Sequence, residues 1–141
     1  MADTRPEHTP YFNIEVVDDA VWVKLVGKWT VPIDLEYMTQ LSQIMSNMRN
    51  KSWSIIVDMR HWQVTPPKVN EHSQQMANIH LDRRNQILEA WWVNDSTQAE
   101  FLVPYVSQDR SMQFVRSTAF SDIEKALKSK RVNTQIPESW K

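Results

Sequence analysis

The run Trp53-Ser54-Ile55-Ile56-Val57-Asp58-Met59-Arg60 sets the tightest limit on the fold. Its apolar centre, Ile55, Ile56 and Val57, is β-branched throughout and leads into a polar loop. Such a run fits a strand covered on both faces, at the centre of a mainly parallel sheet. Sheets of this kind bind ligands outside the carboxyl ends of their strands. Asp58 and the loop from His61 to Pro67 are therefore where a site is expected.

The flanking sequence supplies the other elements. Tyr11 to Val17 alternates, with Phe12, Ile14 and Val16 on one side and Asn13 and Glu15 on the other, as in a half-buried strand. Asp18-Asp19 turns the chain, and Val21 to Val26 completes a hairpin. Val21, Val23 and Leu25 share one face of that strand, and Trp22, Lys24 and Val26 the other. Thr30 or Asp34 can cap the next helix, with Pro32 in its first turn. Tyr37, Leu41, Ile44 and Met48 give it an amphipathic stripe ending near Asn50. A second helix, polar nearly all round, is expected from Pro66-Pro67 to about Arg84, followed by a turn over 82–85. Ile87 to Val93 reads as a strand covered on both faces. Asp95 with Gln98 forms a capping box for a third helix, which carries Ala99, Leu102, Val103 and Val106 and which Pro104 kinks or shortens. Met112 to Ser117 is the last strand. Ser121 with Glu124 is a second box, opening a helix that buries Ile123, Ala126 and Leu127. Beyond Ser129 the chain is polar, with Ile136, Pro137 and Trp140 as docking points.

The order β-β-α-β-α-β-α-β-α predicts an α/β fold, with a mostly parallel five-stranded sheet and an antiparallel N-terminal strand. Residues 1–10 read as a loose arm, 11–130 as one domain and 131–141 as a tail. If the strands follow one another in space, right-handed crossovers put the connecting helices on one face. The opposite face then needs the tail, the hairpin or a second copy in a homodimer.

Composition excludes more than it assigns. The 141 residues carry a net charge of −1. Both signs are interleaved, so no field recruits nucleic acid or an anionic membrane surface. No window approaches the ~18 consecutive apolar residues of a membrane span. No apolar leader follows Met1, and a cytoplasmic location is the expectation. Absence of cysteine removes disulfides, thiolate metal sites and thiol nucleophiles together. Gly27 is the single glycine. Phosphate-cradling loops need several, so the P-loop, the dinucleotide fingerprint and the nucleophile elbow are all missing. Seven tryptophans point instead to large rigid contact surfaces.

Candidate residues each carry two readings. Asp58 can bind a ligand or accept a proton, or it can cap the amides that follow it. Arg60, His61 and Trp62 place a cation, an imidazole and an indole in a row, suited to an anionic or aromatic ligand. Alternatively, Trp62 plugs the end of the sheet and Arg60 pairs with a neighbouring acid. Thr65 is the hydroxyl of that loop. His72, Met76 and His80 lie on one helical stripe, which reads as a partner-facing surface; two imidazoles and a thioether are a thin set for a metal. Trp91 and Trp92 point to opposite faces of one strand, so one of them can line an aromatic surface or an apolar pocket. The basic spots at Arg83-Arg84 and at Lys125, Lys128, Lys130 and Arg131 are flanked by acids and read as solvated faces. No metal and no cofactor is implied.

The chain resembles the STAS and SpoIIAA-like domains, in particular a bacterial branch likened to the lipid-exchange SEC14 (CRAL-TRIO) fold. The likeness rests on Val23-Lys24-Leu25-Val26-Gly27, on the strand end Ile56-Val57-Asp58-Met59, and on Gln113-Phe114-Val115-Arg116-Ser117-Thr118-Ala119-Phe120 before a helix with Glu124, Ala126 and Leu127. It implies a SpoIIAA-like (βα) superhelical domain. In the phospho-regulated branch an Asp-Ser-Ser-Gly motif follows the strand-end aspartate, and its phosphorylation adjusts binding to a kinase. Here Met59 to Lys68 lacks that motif. The resemblance thus implies a non-enzymatic regulatory module that binds a protein partner. A carrier or sensor of a small apolar or lipid-like ligand is the second expectation. A hydrolytic enzyme using Asp58 and His61 is the third.

Overall fold

A computed structural model describes residues 10–63, 82–103 and 112–141. Strand β1 (Phe12–Val17) pairs antiparallel with β2 (Ala20–Gly27). Asp18 turns between them at φ 53°, a left-handed position that a short acidic side chain tolerates. Helix α1 (Val31–Met48) leads to β3 (Trp53–Trp62), and β4 (Gln86–Trp92) and β5 (Gln113–Ser117) complete a sheet in the order β1-β2-β3-β4-β5. All pairs from β2 onward are parallel. Helix α2 (Phe120–Ser129) follows β5, and a short 3-10 turn (Glu138–Trp140) lies near the end of the tail. The expected α/β class, the five-stranded sheet with one antiparallel edge strand and the central place of residues 53–60 are present; among the described residues two α-helices accompany the strands.

Each face of the sheet carries its own core. On one, Val21, Val23, Leu25, Ile55, Val57, Met59 and Trp91 pack against Tyr37, Met38, Leu41, Met45 and Met48 of α1. On the other, Ala20, Trp22, Ile56, Leu88 and Ala90 pack against Ile123, Ala126 and Leu127 of α2. Val132, Ile136 and Trp140 of the tail extend that second layer. The period-two alternation of each strand feeds both cores at once. Ile56 is completely buried, and each such side chain contributes about 2 kcal/mol. The face that called for a further covering is occupied by α2 and the tail.

Gly27 ends β2 at φ 80°, a region in which a side chain would clash with the backbone. The indole of Trp29 then donates to the Val26 carbonyl at 3.0 Å, and the Gln63 amide to the Gly27 carbonyl at 3.0 Å. The reversal after β2 is thereby tied to the end of β3.

Three local expectations are corrected. Thr30 does precede α1, but its side chain makes no capping hydrogen bond; its carbonyl accepts the Asp34 amide at 3.0 Å. Half of the box at Asp95 and Gln98 forms: Asp95 Oδ1 accepts the Thr97 and Gln98 backbone amides at 2.8 and 3.0 Å, while Gln98 Oε1 accepts the Asn94 amide at 2.6 Å in place of that of Asp95. No α-helix grows from it over 96–102, however. Ala99 is left-handed at φ 59°, and only a 3-10 turn, Glu100–Leu102, follows. The Gln98 side-chain nitrogen donates instead to the Met59 and Trp62 carbonyls. The second box, Ser121 with Glu124, is not used. Helix α2 starts after Ala119, and Ser117 takes over: its Oγ accepts the Ala119 amide at 3.0 Å and donates to Asp122 at 2.6 Å. The expected helix from Pro66, the part of the third helix beyond Val103, and Thr65, His72, Met76 and His80 lie outside the described residues.

Candidate functional site at the carboxyl rim

Parallel pairing brings Lys24 of β2, Asp58 of β3, Trp92 of β4 and Ser117 of β5 into one transverse row near the carboxyl ends. The register slips between Lys24 and Val26, so that Val26 lies opposite His61. This is the extra residue of a bulge, a device that re-aims side chains next to sites.

Asp58 is 3% exposed. One carboxylate oxygen accepts the Arg60 backbone amide at 3.1 Å and the Arg60 Nε at 3.0 Å, and the other accepts a terminal guanidinium nitrogen at 3.1 Å. Both readings of Asp58 and Arg60 as structural partners are thus realised in one fork-to-carboxylate pair. The guanidinium carbon lies 3.4 Å from the ring centroid of Trp92. Trp92 donates to the Thr118 carbonyl at 3.2 Å and lies 4.8 Å from Phe120 between ring centroids.

The tail completes the row. Trp140 stacks on Trp92 at 6.3 Å and 26°, and meets Trp22 edge-on at 5.0 Å and 79°. The Lys24 ammonium lies 5.5 Å from the Trp140 ring and donates to the Ser139 carbonyl at 2.6 Å. Arg60, Trp92, Trp140 and Lys24 therefore alternate as cation, indole, indole, cation. Each cation faces the negative face of a ring.

The other candidates are distributed differently. His61 is exposed on the rim. Trp62 belongs to the opposite layer, packed against Trp29 at 5.6 Å and 64°. Trp91 is also in that layer, 4.9 Å from Phe114. The tryptophan pair does divide between the two faces, but only Trp92 reaches the rim.

Sequence reasoning missed a buried polar cluster beneath α1. Glu89 is 4% exposed and accepts from Arg83, from Gln86 at 3.0 Å and from the Trp91 indole at 2.8 Å. Asp34 is 1% exposed. Burial holds the Tyr37 phenol far above its usual range, and the charges of Glu89 and Asp34 push in the same direction. A glutamate inside the apolar run Ile87-Leu88-Glu89-Ala90-Trp91 is the signal that could have exposed it, since buried charges need partners. The arrangement is a closed set of hydrogen bonds, with Arg83 facing Glu89.

At the turn before β4, the Arg84 guanidinium bonds Asp82 and holds that carboxylate well below its ordinary range. Among the described residues no group of three or more His, Asp or Glu could hold a metal ion, and no helix is long and apolar enough to cross a membrane. A groove of about 200 Å³ runs between α2 and the tail, lined by Trp22, Leu127, Val132 and Ile136 with Lys128 and Arg131 at its border. Compared with protein-family models, curated proteins and solved structures, the chain matches none.

Proposed function

We propose that the chain is a STAS-like, non-enzymatic regulatory module that binds a protein partner through its carboxyl rim. The observation that carries this reading is the row Arg60–Trp92–Trp140–Lys24. Tryptophan and arginine dominate the binding energy of protein interfaces, and here Arg60 and Trp92 are fixed by Asp58, by each other and by the Thr118 carbonyl before any partner arrives. The sequential strand order with one antiparallel edge strand supports the STAS-like assignment. With Asp58 engaged by Arg60, the rim favours recognition over acid–base chemistry. The groove beside α2, at about 200 Å³, is smaller than the roughly 300–1,000 Å³ of drug-sized ligand sites. Among the described residues that groove is too small for such a ligand, and the apolar-carrier reading stands second.

Photo-cross-linking tests the reading. A benzophenone amino acid in place of exposed His61 should capture a discrete protein in the native host, and Arg60→Ala should reduce that product at least fivefold. The control is the same probe at exposed Glu36 on α1. Identical products from both positions would reject the rim as the binding surface.

A further inference from the structure

The tail residues 132–137 have no regular secondary structure, yet they are fastened across the second face of the hairpin. Asp19 donates its amide to the Asn133 carbonyl at 2.9 Å. Thr134 Oγ1 accepts the Trp22 indole at 3.0 Å and donates to the Val17 carbonyl at 2.8 Å. Ser139 Oγ donates to Glu15. At the far end Trp140 fills a slot walled by Trp22, Trp92 and Phe120. The wall residues Trp92 and Phe120 are positioned by the sheet and α2, not by the tail: Trp92 is clamped by Arg60 and bonded to Thr118.

The way the slot is filled is the way a domain grips a peptide. One aromatic side chain is the anchor, and one main-chain carbonyl, that of Ser139, takes a fixed ammonium. The fit is imperfect. Trp140 Nε1 is buried without a hydrogen-bond partner, and an unpaired buried donor weakens the docking of whatever carries it.

We propose that the segment ending in Ser139-Trp140 is a built-in stand-in for a partner peptide. The slot between Trp22, Trp92 and Phe120 takes an aromatic side chain from the partner protein, Lys24 takes the neighbouring carbonyl, and Trp140 competes for both. This rests on the protein-binding reading of the rim and specifies the partner's chemistry. The tail then sets the threshold for binding, because a partner must displace it first.

The probe is a fluorescein-labelled peptide with the sequence of residues 132–141, offered in trans to the full chain. Trp140→Ala, with its slot vacated, should bind the probe at least tenfold more tightly than the wild type. Adding Phe120→Ala, or replacing the probe's tryptophan with alanine, should abolish the gain. Equal affinity for both proteins, or no binding by a folded Trp140→Ala, overturns the proposal. Should that variant fail to fold, Lys24→Met gives a second reading by hydrogen exchange. The Asp19 amide, bonded to Asn133, should exchange at least tenfold faster while the Ile56 amide is unchanged. Equal acceleration of both would make the tail an integral part of the global fold and overturn the idea. A wild-type dimer that Trp140→Ala converts to monomer would assign the slot to a second copy, again overturning it. Products captured at His61 that ignore both Trp140→Ala and Phe120→Ala would reject the slot while leaving the rim reading intact.

Discussion

Glu89 shows how much depends on completing a polar set inside a sheet. Its carboxylate satisfies Arg83, Gln86 and the Trp91 indole. Glu89→Ala removes all three partners' acceptor at once, and a loss of about 3 kcal/mol is expected in urea denaturation. Tyr37 makes a pH-dependent contribution of the opposite kind. In the unfolded chain its phenol ionises near pH ~10, whereas burial prevents this in the fold. Below that pH both states keep the proton. Above it the unfolded state alone releases it, so stability falls as pH rises, by up to ~1.4 kcal/mol per pH unit. Thermal melts between pH 9 and 11.5 should show a shallower decline for Tyr37→Phe than for the wild type, on the order of this amount. Absorbance titration should find the Tyr37 phenol silent until the chain unfolds. At the end of α2, Arg131 sits at φ 55° while the Val132 amide bonds the Leu127 carbonyl at 3.0 Å. That closing turn prefers glycine, and Arg131→Gly should raise stability by about 1 kcal/mol in the same assay.

At the scale of elements, Ser117 links the last strand to the last helix. It receives the Ala119 amide and bonds Asp122, so Ser117→Ala should cost about 1 kcal/mol, read as a lower denaturation midpoint. The strands were legible because their alternation is a direct image of two cores: Val21, Val23 and Leu25 enter one, Ala20 and Trp22 the other. Ile55 to Val57 was legible as the centre for the same reason, being covered from both sides. The helix starts were less so. Ser121-x-x-Glu124 has the spacing of a capping box, but Ser121 already lies inside the first turn, and spacing is blind to Ser117, which stands before it and bonds Asp122. Gln98 fails as a helix opener because its side-chain nitrogen binds Met59 and Trp62 across the sheet. As for the site, Asp58, Arg60 and Trp92 were each marked; register sets Asp58 beside Trp92, and the Arg60 guanidinium touches both. Trp62 and Trp91 were marked with them but face α1. Lys24 and Phe120 were named but not marked as site residues, because a lone lysine on a strand and a phenylalanine before a helix carry no local signal.

Over the whole molecule, α2 and the tail close the face that α1 leaves open. Sedimentation velocity should therefore find the full chain monomeric. Trp140→Ala, which uncovers Trp22, Trp92 and Phe120, should increase self-association, seen as a rise in weight-average sedimentation coefficient with concentration. The side-by-side arrangement of successive strands has a further result for how the native state is reached. Each parallel strand joins the neighbour made just before it, so the encounters that build the sheet span one crossover and not the whole chain. The seam between hairpin and tail is the exception, since Trp22 must wait for a threonine 112 positions away. Assembly should thus run like a row of dominoes with one late clasp, and kinetic traces should resolve fast growth of the sheet from a slower quenching of indole fluorescence as that clasp engages.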